Sequence, residues 1–575
     1  MSRIWNNTYT VAVGLGAILL LALFVRVWGM GFGLPYRYHI DEPAYVVNAL
    51  RIAHGELKLD YPPLSPSLHQ ILLAVSFGVL YVAELAAGKV SSPTAFANSY
   101  QLDATGFYLI ARGWSILCSV AAIYLLYLIV SRRQGRRTGL VACLFLALSM
   151  IDVRHAHFAE PYSMLTLFVL LAVYAALVFG EKGATRWLAV SALAAGIAIG
   201  IKYSVLPVAL VPVGAVGLRF WQGRRQELKV ALRQLVYTAL FGLAGVLIGT
   251  PSLLLNPRGA LQMAGVQAAL ATTAQGFWGI QFTNWPTWWF YLDVLEIGWG
   301  WPLVILAAAG LGRVLWSRQR QDFLILLFPV LFAALLLQAS AASSAFARYS
   351  VPALPFLAWL AAIAVVWVVD WAGGRWNVQA RTVALVVVAG ALVIIPAIRI
   401  VQLDHLWTQV DTRTLAKEWI ETQVPAGSKI AMQWYGPALA TATHPEANSS
   451  RVYDVLQVDP FDSSPNWYSL DYYRSQGFDY LVLSSFIYDL RRIDPRDNQT
   501  RSDFYQGLAS QADLVAEFRP FDGKQEPPFF FEELWGPITA LDQFTRPGPT
   551  IQIYRITQPT PVGDTSQGAL NAPID

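Results

Sequence analysis

Charge is what this chain has least of. Only 14% of its 575 residues are Asp, Glu, Lys or Arg, against about 25% in an ordinary soluble domain. That shortage excludes a single soluble globular enzyme, and a 55% hydrophobic content excludes a disordered chain. Cysteine is nearly missing: Cys118 and Cys143 both lie in apolar runs, and residues 402–575 have none. No disulfide framework therefore supports the tail. There is no glycine at every third position, so no collagen-like repeat. There is also no continuous basic stripe, so no nucleic-acid partner is expected. Finally, the first apolar run, 11–25, lacks a small-x-small cleavage site; Arg26-Val27-Trp28-Gly29-Met30 follows it instead. A retained first span is predicted.

What is present divides the chain in two. Residues 1–401 hold 28 Lys and Arg against 14 Asp and Glu, while 402–575 hold 13 against 23. The overall net charge of +4 thus conceals a basic, apolar part and an acidic, water-compatible one. A helix needs about 20 apolar residues to cross a bilayer. Candidate runs lie near 11–30, 68–88, 105–130, 139–152, 162–180, 187–201, 203–219, 232–254, 292–312, 323–341, 350–370 and 382–401.

Arginine and lysine decide which runs cross, because cytoplasmic loops are rich in them. Basic loops occur at 131–138, 181–186, 219–233, 313–320 and 373–381, each two crossings from the next. This alternation holds only if 68–88, which carries Glu84, lies on the outer face instead of spanning. The sequence thus predicts a polytopic α-helical membrane protein of about 11 spans, in the plasma (inner) membrane, with a cytoplasmic N-terminus. Its domains are a membrane domain, 1–401, with a first outer loop at 31–104, and a C-terminal extracytoplasmic α/β domain, 402–575. In the tail, 412–424 reads as a helix capped by Asp411 and stopped at Pro425-Ala426-Gly427. Strands are predicted at 429–433, 480–484, 514–518 and 550–556, and the last 15 or so residues as a loose end.

With sidedness assigned, the unusual charges gather on one side. Ionisable groups at membrane depth are expensive and mark a substrate path by default. The sharpest group is Tyr38-His39-Ile40-Asp41-Glu42-Pro43, opening a helical pattern through Tyr45, Asn48, Ala49 and Ile52. Two carboxylates here fit either helix capping or a general base facing the membrane surface. A second group is Asp152-Val153-Arg154-His155-Ala156-His157-Phe158-Ala159-Glu160-Pro161-Tyr162. His155, His157 and Glu160 suit an acid–base or hydrogen-bonding rim site or a solvated loop; the spacing is no specific zinc pattern. The third is Arg348-Tyr349, with Lys202 as its counterpart. Each cation is either snorkelling at a helix end or binding an anionic ligand such as a lipid phosphate.

These residues together resemble a known family. A first span, an outer loop opening with Asp41-Glu42, then Tyr61-Pro62-Pro63-Leu64 and an interfacial helix resemble the C-type glycosyltransferase superfamily (GT-C). Within it, the protein mannosyltransferase and aminoarabinose transferase group (glycosyltransferase family 39) is most similar. The Arg-rich turn and Arg348-Tyr349 followed by Pro352 and Pro355 fit the same pattern. The resemblance spans roughly 10–400. It implies inverting transfer of a sugar from a polyprenyl-phosphate donor to a protein, lipid or glycan acceptor. Asp41 would be the base and Glu42 its support. Arg348, Lys202 and Arg154 would hold the donor phosphate, with His155, His157, Glu160 and Tyr349 at the acceptor or second-loop site. No metal or other cofactor is implied. Two other readings stay open: a transporter or flippase of a lipid-linked saccharide, and an anchor for an active exported domain.

Overall fold

The computed structural model describes residues 8–57, 66–222, 228–262, 265, 286–339, 345–446, 448–459, 465–493, 499–523 and 525–556. The motif at 61–64 lies outside the described residues, as does the predicted loose end. Each of the twelve apolar runs falls on helix. Among the described residues eight helices are long and apolar enough to cross a membrane, and the number reaches eleven if three bent pairs each count as one span. Thr185–Ile201 is apolar but shorter. The chain is thus a multi-pass helical membrane protein, as its sequence predicts. By length and composition Leu68–Ala86 also qualifies as a span, so only the charge alternation argues for its interfacial placement.

The bends have local causes. The 292–312 run is expected as one helix but turns by 114° between Thr287–Trp299 and Trp301–Ser317. Gly300 at the corner has φ +77, a left-handed conformation that L side chains rarely adopt. The helix Arg136–Ala147 breaks by 61° before Met150–Ala156, and this short helix carries Asp152, Arg154 and His155. Two other helices meet almost without side chains: a Cβ on Gly196 would lie 2.0 Å from the Gly242 carbonyl, and one on Gly245 2.2 Å from that of Leu193. Small residues allow Thr185–Ile201 and Leu228–Gly249 to bring their backbones together. Lys202 directly follows the first of these helices.

Buried arginines tie the early helices together. Arg26, near the end of Thr8–Val27, donates to Ser119 Oγ (2.8 Å), to the Ala147 carbonyl (3.1 Å) and to Asp152 Oδ2 (2.6 Å). Asp152, expected among the rim acids, is therefore spent on a structural pair. Between Thr8–Val27 and Thr105–Gln134, the helices Glu42–Ala53, Leu68–Ala86 and Pro93–Leu102 pack over Thr105–Gln134 through Val46, Leu73, Phe77, Phe96 and Phe107.

By internal contacts the chain forms two units, Met1–Val410 with Phe521–Pro547, and Asp411–Pro520 with Gly548–Asp575. The sequence boundary at 401 falls inside the helix Ile394–Trp407. The acidic tail is not one piece, because 521–547 belongs with the membrane helices. In the second unit, Asp411 caps Thr412–Gln423 by accepting from the Arg413 amide at 2.9 Å. Strands β1 (Lys429–Gln433), β2 (Asp454–Val458), β3 (Tyr480–Ser484), β4 (Asp513–Phe518) and β5 (Ile551–Arg555) form one sheet in the order β2-β1-β3-β5-β4. β2 is the one strand not predicted. Among the described residues it is an edge strand paired with β1.

Candidate active site

The loop at 37–41 turns into Glu42–Ala53 with an unusual cap. Asp41 occupies the N-cap position, but its side chain makes no capping hydrogen bond. His39 caps instead: its Nδ1 accepts from the backbone amides of Asp41 and Glu42, both at 3.2 Å. Only a neutral imidazole offers that lone pair, and burial beside Arg112, Arg154 and Arg348 holds the His39 pKa well below its ordinary value. Of the two readings open for Asp41, capping is thereby removed, and its carboxylate is released for another task.

The two adjacent acids separate completely. Glu42 is fully buried and paired at two points with Arg112, Oε1 to Nε at 2.8 Å and Oε2 to Nη2 at 2.7 Å. Its Oε1 also accepts the Ala159 amide at 2.7 Å. Three bonds from Arg112 and the Ala159 amide thus hold Glu42 inside the fold. Asp41 retains a 25% exposed side chain. Its Oδ2 accepts from Trp535 Nε1 at 2.7 Å and stands 3.3 Å from Arg348 Nη1. Partial withdrawal from water raises its pKa above the usual carboxylate range; Glu160 adds to the rise, and Arg348, Trp535 and Lys202 oppose it.

Around Asp41 lies a compact set of charges. Arg348 belongs to the turn Ala347–Ala353, and its guanidinium sits over the rings of Phe346 (4.2 Å) and Trp535 (4.7 Å). Its Nη1 is buried and, among the described residues, has no hydrogen-bond partner beyond the charge contact with Asp41. Lys202 lies in the extended break after Thr185–Ile201. It donates to the Tyr162 hydroxyl at 2.6 Å and faces the Tyr349 ring at 5.0 Å. Glu160 is buried in the turn before Tyr162–Lys182 and interacts electrostatically with Arg348 and Lys202. Burial is the largest cause of its raised pKa.

Other predicted residues are buried in hydrogen-bond networks. Arg154, expected on the donor phosphate, is completely buried with every donor in use. Its Nη2 reaches the Glu532 and Gly536 carbonyls at 2.8 and 3.0 Å, and Nε the Pro537 carbonyl at 3.3 Å. Its Nη1 meets Glu532 Oε2 and His155 Nε2, each at 3.4 Å. No donor is left for a phosphate. His155 bridges Arg154 and Glu160, with Nδ1 3.4 Å from Glu160 Oε2. Because arginine can only donate, Nε2 accepts and Nδ1 carries the proton. His157 lies elsewhere, between the Val153 and Trp28 carbonyls at 2.9 Å each, 3.7 Å from Asp404. Both histidines are closed inside the fold rather than open at the rim. Among the described residues no group of three His, Cys, Asp or Glu is arranged to hold a metal ion.

Sequence reasoning missed Arg112, Glu532 and Trp535, and it singled out Tyr162 only as the end of the 152–162 group. Arg112 was detectable, because a charge inside the 105–130 run requires a buried partner. Trp535 was not, since it is one of 21 tryptophans and lies in the tail.

A family model described as dolichyl-phosphate-mannose-protein mannosyltransferase matches residues 108–249. The match contains Arg112, Arg154, Glu160 and Lys202 and excludes Asp41 and Arg348. No curated protein sequence matches the chain. Among solved structures, the Archaeoglobus fulgidus oligosaccharyltransferase in its apo form has a TM-score of 0.49 at 14% identity, covering 85% of this chain and 72% of that one. ArnT from Cupriavidus metallidurans bound to undecaprenyl phosphate has 0.47 at 14% identity, covering 95% and 98%. The arabinofuranosyltransferase AftD from Mycobacteria has 0.40 at 16% identity, covering 97% and 40%. Over residues 108–249 the chain is thus similar to that mannosyltransferase family.

Proposed function

We propose that the chain is an integral membrane glycosyltransferase acting at the outer face of the membrane. It transfers a sugar from a polyprenyl-phosphate-linked donor, with inversion, to an acceptor hydroxyl. The observation that carries this reading is the juxtaposition of one accessible carboxylate, Asp41, with Arg348 at 3.3 Å and with Lys202 in the same cluster.

The chemistry follows from those groups. Asp41 removes the proton from the acceptor hydroxyl as its oxygen bonds to the anomeric carbon. The bond from that carbon to the phosphate oxygen breaks, and the electron pair leaves with the polyprenyl phosphate. Arg348 and Lys202 stabilise the charge that develops there. The unmet Nη1 of Arg348 supports a phosphate role for it, while Lys202 is positioned by Tyr162. Glu160 keeps the two cations charged and in place. The N-terminus would be cytoplasmic and the α/β unit extracytoplasmic, by the charge alternation of the loops. The acceptor is a protein, lipid or glycan hydroxyl, and the reading requires no metal.

The test is purified protein in detergent, supplied with polyprenyl-phosphate sugars and hydroxyl acceptors. Released polyprenyl phosphate and a product of opposite anomeric configuration are expected. A protein that moves lipid-linked sugar across vesicles but never cleaves it in detergent would be a flippase, and this reading would fall.

A further inference from the structure

β4 and β5 are antiparallel neighbours, yet the chain between them runs from 519 to 550. Connections of this length are uncommon between neighbouring strands. This one leaves its own sheet: 521–547 is part of the membrane unit. It is pinned there at several points. Glu532 Oε1 accepts the Ala347 amide at 2.7 Å, and Arg154 commits all its donors to Glu532, His155, Gly536 and Pro537. Phe531 stacks on Phe290 at 5.7 Å, and Trp535 meets Phe346 edge-on at 5.1 Å. The product of this anchoring is one polar contact, the Trp535 indole N–H on Asp41 Oδ2 at 2.7 Å.

That contact resolves a difficulty in the proposed reaction. The base and the phosphate-binding cation face each other at 3.3 Å. When Arg348 turns toward a phosphate, it ceases to orient Asp41. The indole N–H is a neutral donor of no use to the anomeric centre, so it stays on Oδ2. Oδ1, which has no protein partner among the described residues, is then aimed at the acceptor hydroxyl. We propose that Trp535 is the positioning residue of the base, presented by the β4–β5 connection and clamped by Arg154. This rests on Asp41 being the base, as the proposed function states.

Replacing Trp535 by Phe keeps an aromatic ring against Phe346 and Arg348 and removes the N–H together with part of the ring. With the full-length protein and a polyprenyl-phosphate sugar, kcat should fall by roughly 10²-fold, with KM for the donor within about twofold. The acid limb of the kcat profile should move to higher pH, because the lost hydrogen bond favoured the carboxylate form of Asp41. The other groups facing Asp41 are unchanged: Arg348 and Tyr349 from one turn, Glu160, Lys202, and the His39 ring beneath its amide. Wild-type kcat and acid limb, or parallel loss of donor binding, would overturn the proposal. A second readout does not depend on turnover. The indole N–H resonance absent from the Trp535→Phe spectrum should shift with pH in wild type and stop doing so in Asp41→Ala. If that holds in a protein that transfers no sugar, the contact stands and the glycosyltransferase reading fails. An indole resonance indifferent to Asp41→Ala overturns the positioning role.

Discussion

Glu42 and Arg112, 70 residues apart, form a two-point ion pair from which water is excluded. Removing one partner of such a pair leaves a bare charge in a low-dielectric site, at a cost of about 3–5 kcal/mol. Arg112→Met should therefore lower the thermal unfolding midpoint sharply. Arg112→Met combined with Glu42→Gln should recover most of the loss. Equal midpoints for the single and double variants would show that the pair does not hold the loop. The adjacent Asp41 should behave in the opposite way, because it is partly exposed and its single strong hydrogen bond can also be made by an amide oxygen.

Asp41→Asn is thus expected to elute as a folded monodisperse protein with an unfolding midpoint near that of wild type. Its transfer rate should fall by about 10²–10⁴-fold, the usual contribution of a general base. Comparable turnover in this variant would remove Asp41 from the mechanism.

The pH dependence follows from the direction of the Asp41 shift. A base acts only when deprotonated, so activity must rise with pH through its pKa. That pKa is raised by withdrawal from water, so the acid limb should lie above the ordinary carboxylate range. A limb at or below the usual aspartate value would contradict the assignment. Arg348→Gln should move the limb further up, since it removes the largest opposing influence.

The two arginines of the site should separate in kinetics. Arg348 has a buried nitrogen without a hydrogen-bond partner among the described residues, whereas Arg154 has none to spare. Arg348→Gln should raise KM for the donor by about 10–100-fold, from the loss of a charge-assisted contact worth roughly 1.5–3 kcal/mol. Arg154→Gln should chiefly reduce stability, because Glu532 is left buried and unpaired. Reversed phenotypes would return Arg154 to the phosphate.

The glycine contact between Thr185–Ile201 and Leu228–Gly249 gives a purely structural prediction. A Cβ on Gly245 would lie 2.2 Å from a carbonyl and 2.9 Å from the Gly196 Cα. Gly245→Leu must separate the two helices and should prevent recovery of folded protein, whereas Gly242→Ala, with nothing nearer than 3.9 Å, should be tolerated. Expression and size-exclusion profiles of the two variants test this.

Much of the site is legible in the amino-acid sequence. A carboxylate pair at the mouth of a predicted helix and Arg348-Tyr349 beginning another stand out because the membrane penalises charge, and rarity is visible in sequence. Which acid is the available one is not legible there. Asp41 and Glu42 are chemically alike and adjacent, and only the approach of Arg112 and the Ala159 amide from distant segments holds Glu42 inside the fold. The same holds for Arg154, whose residue type fits a phosphate and whose surroundings do not.

The shortage of charge thus determined the class of protein and the position of its apolar runs, and local patterning gave four of the five described strands of the tail, because hydrophobicity and turn chemistry act over short stretches of chain. The tertiary structure decided what no local pattern contains: that His39 caps the helix and frees Asp41, and that 521–547 returns to the membrane unit. It also placed Trp535, 494 residues on, at hydrogen-bonding distance from Asp41. Those outcomes depend on which surfaces meet after folding, and residues brought together over such separations leave no periodicity to read.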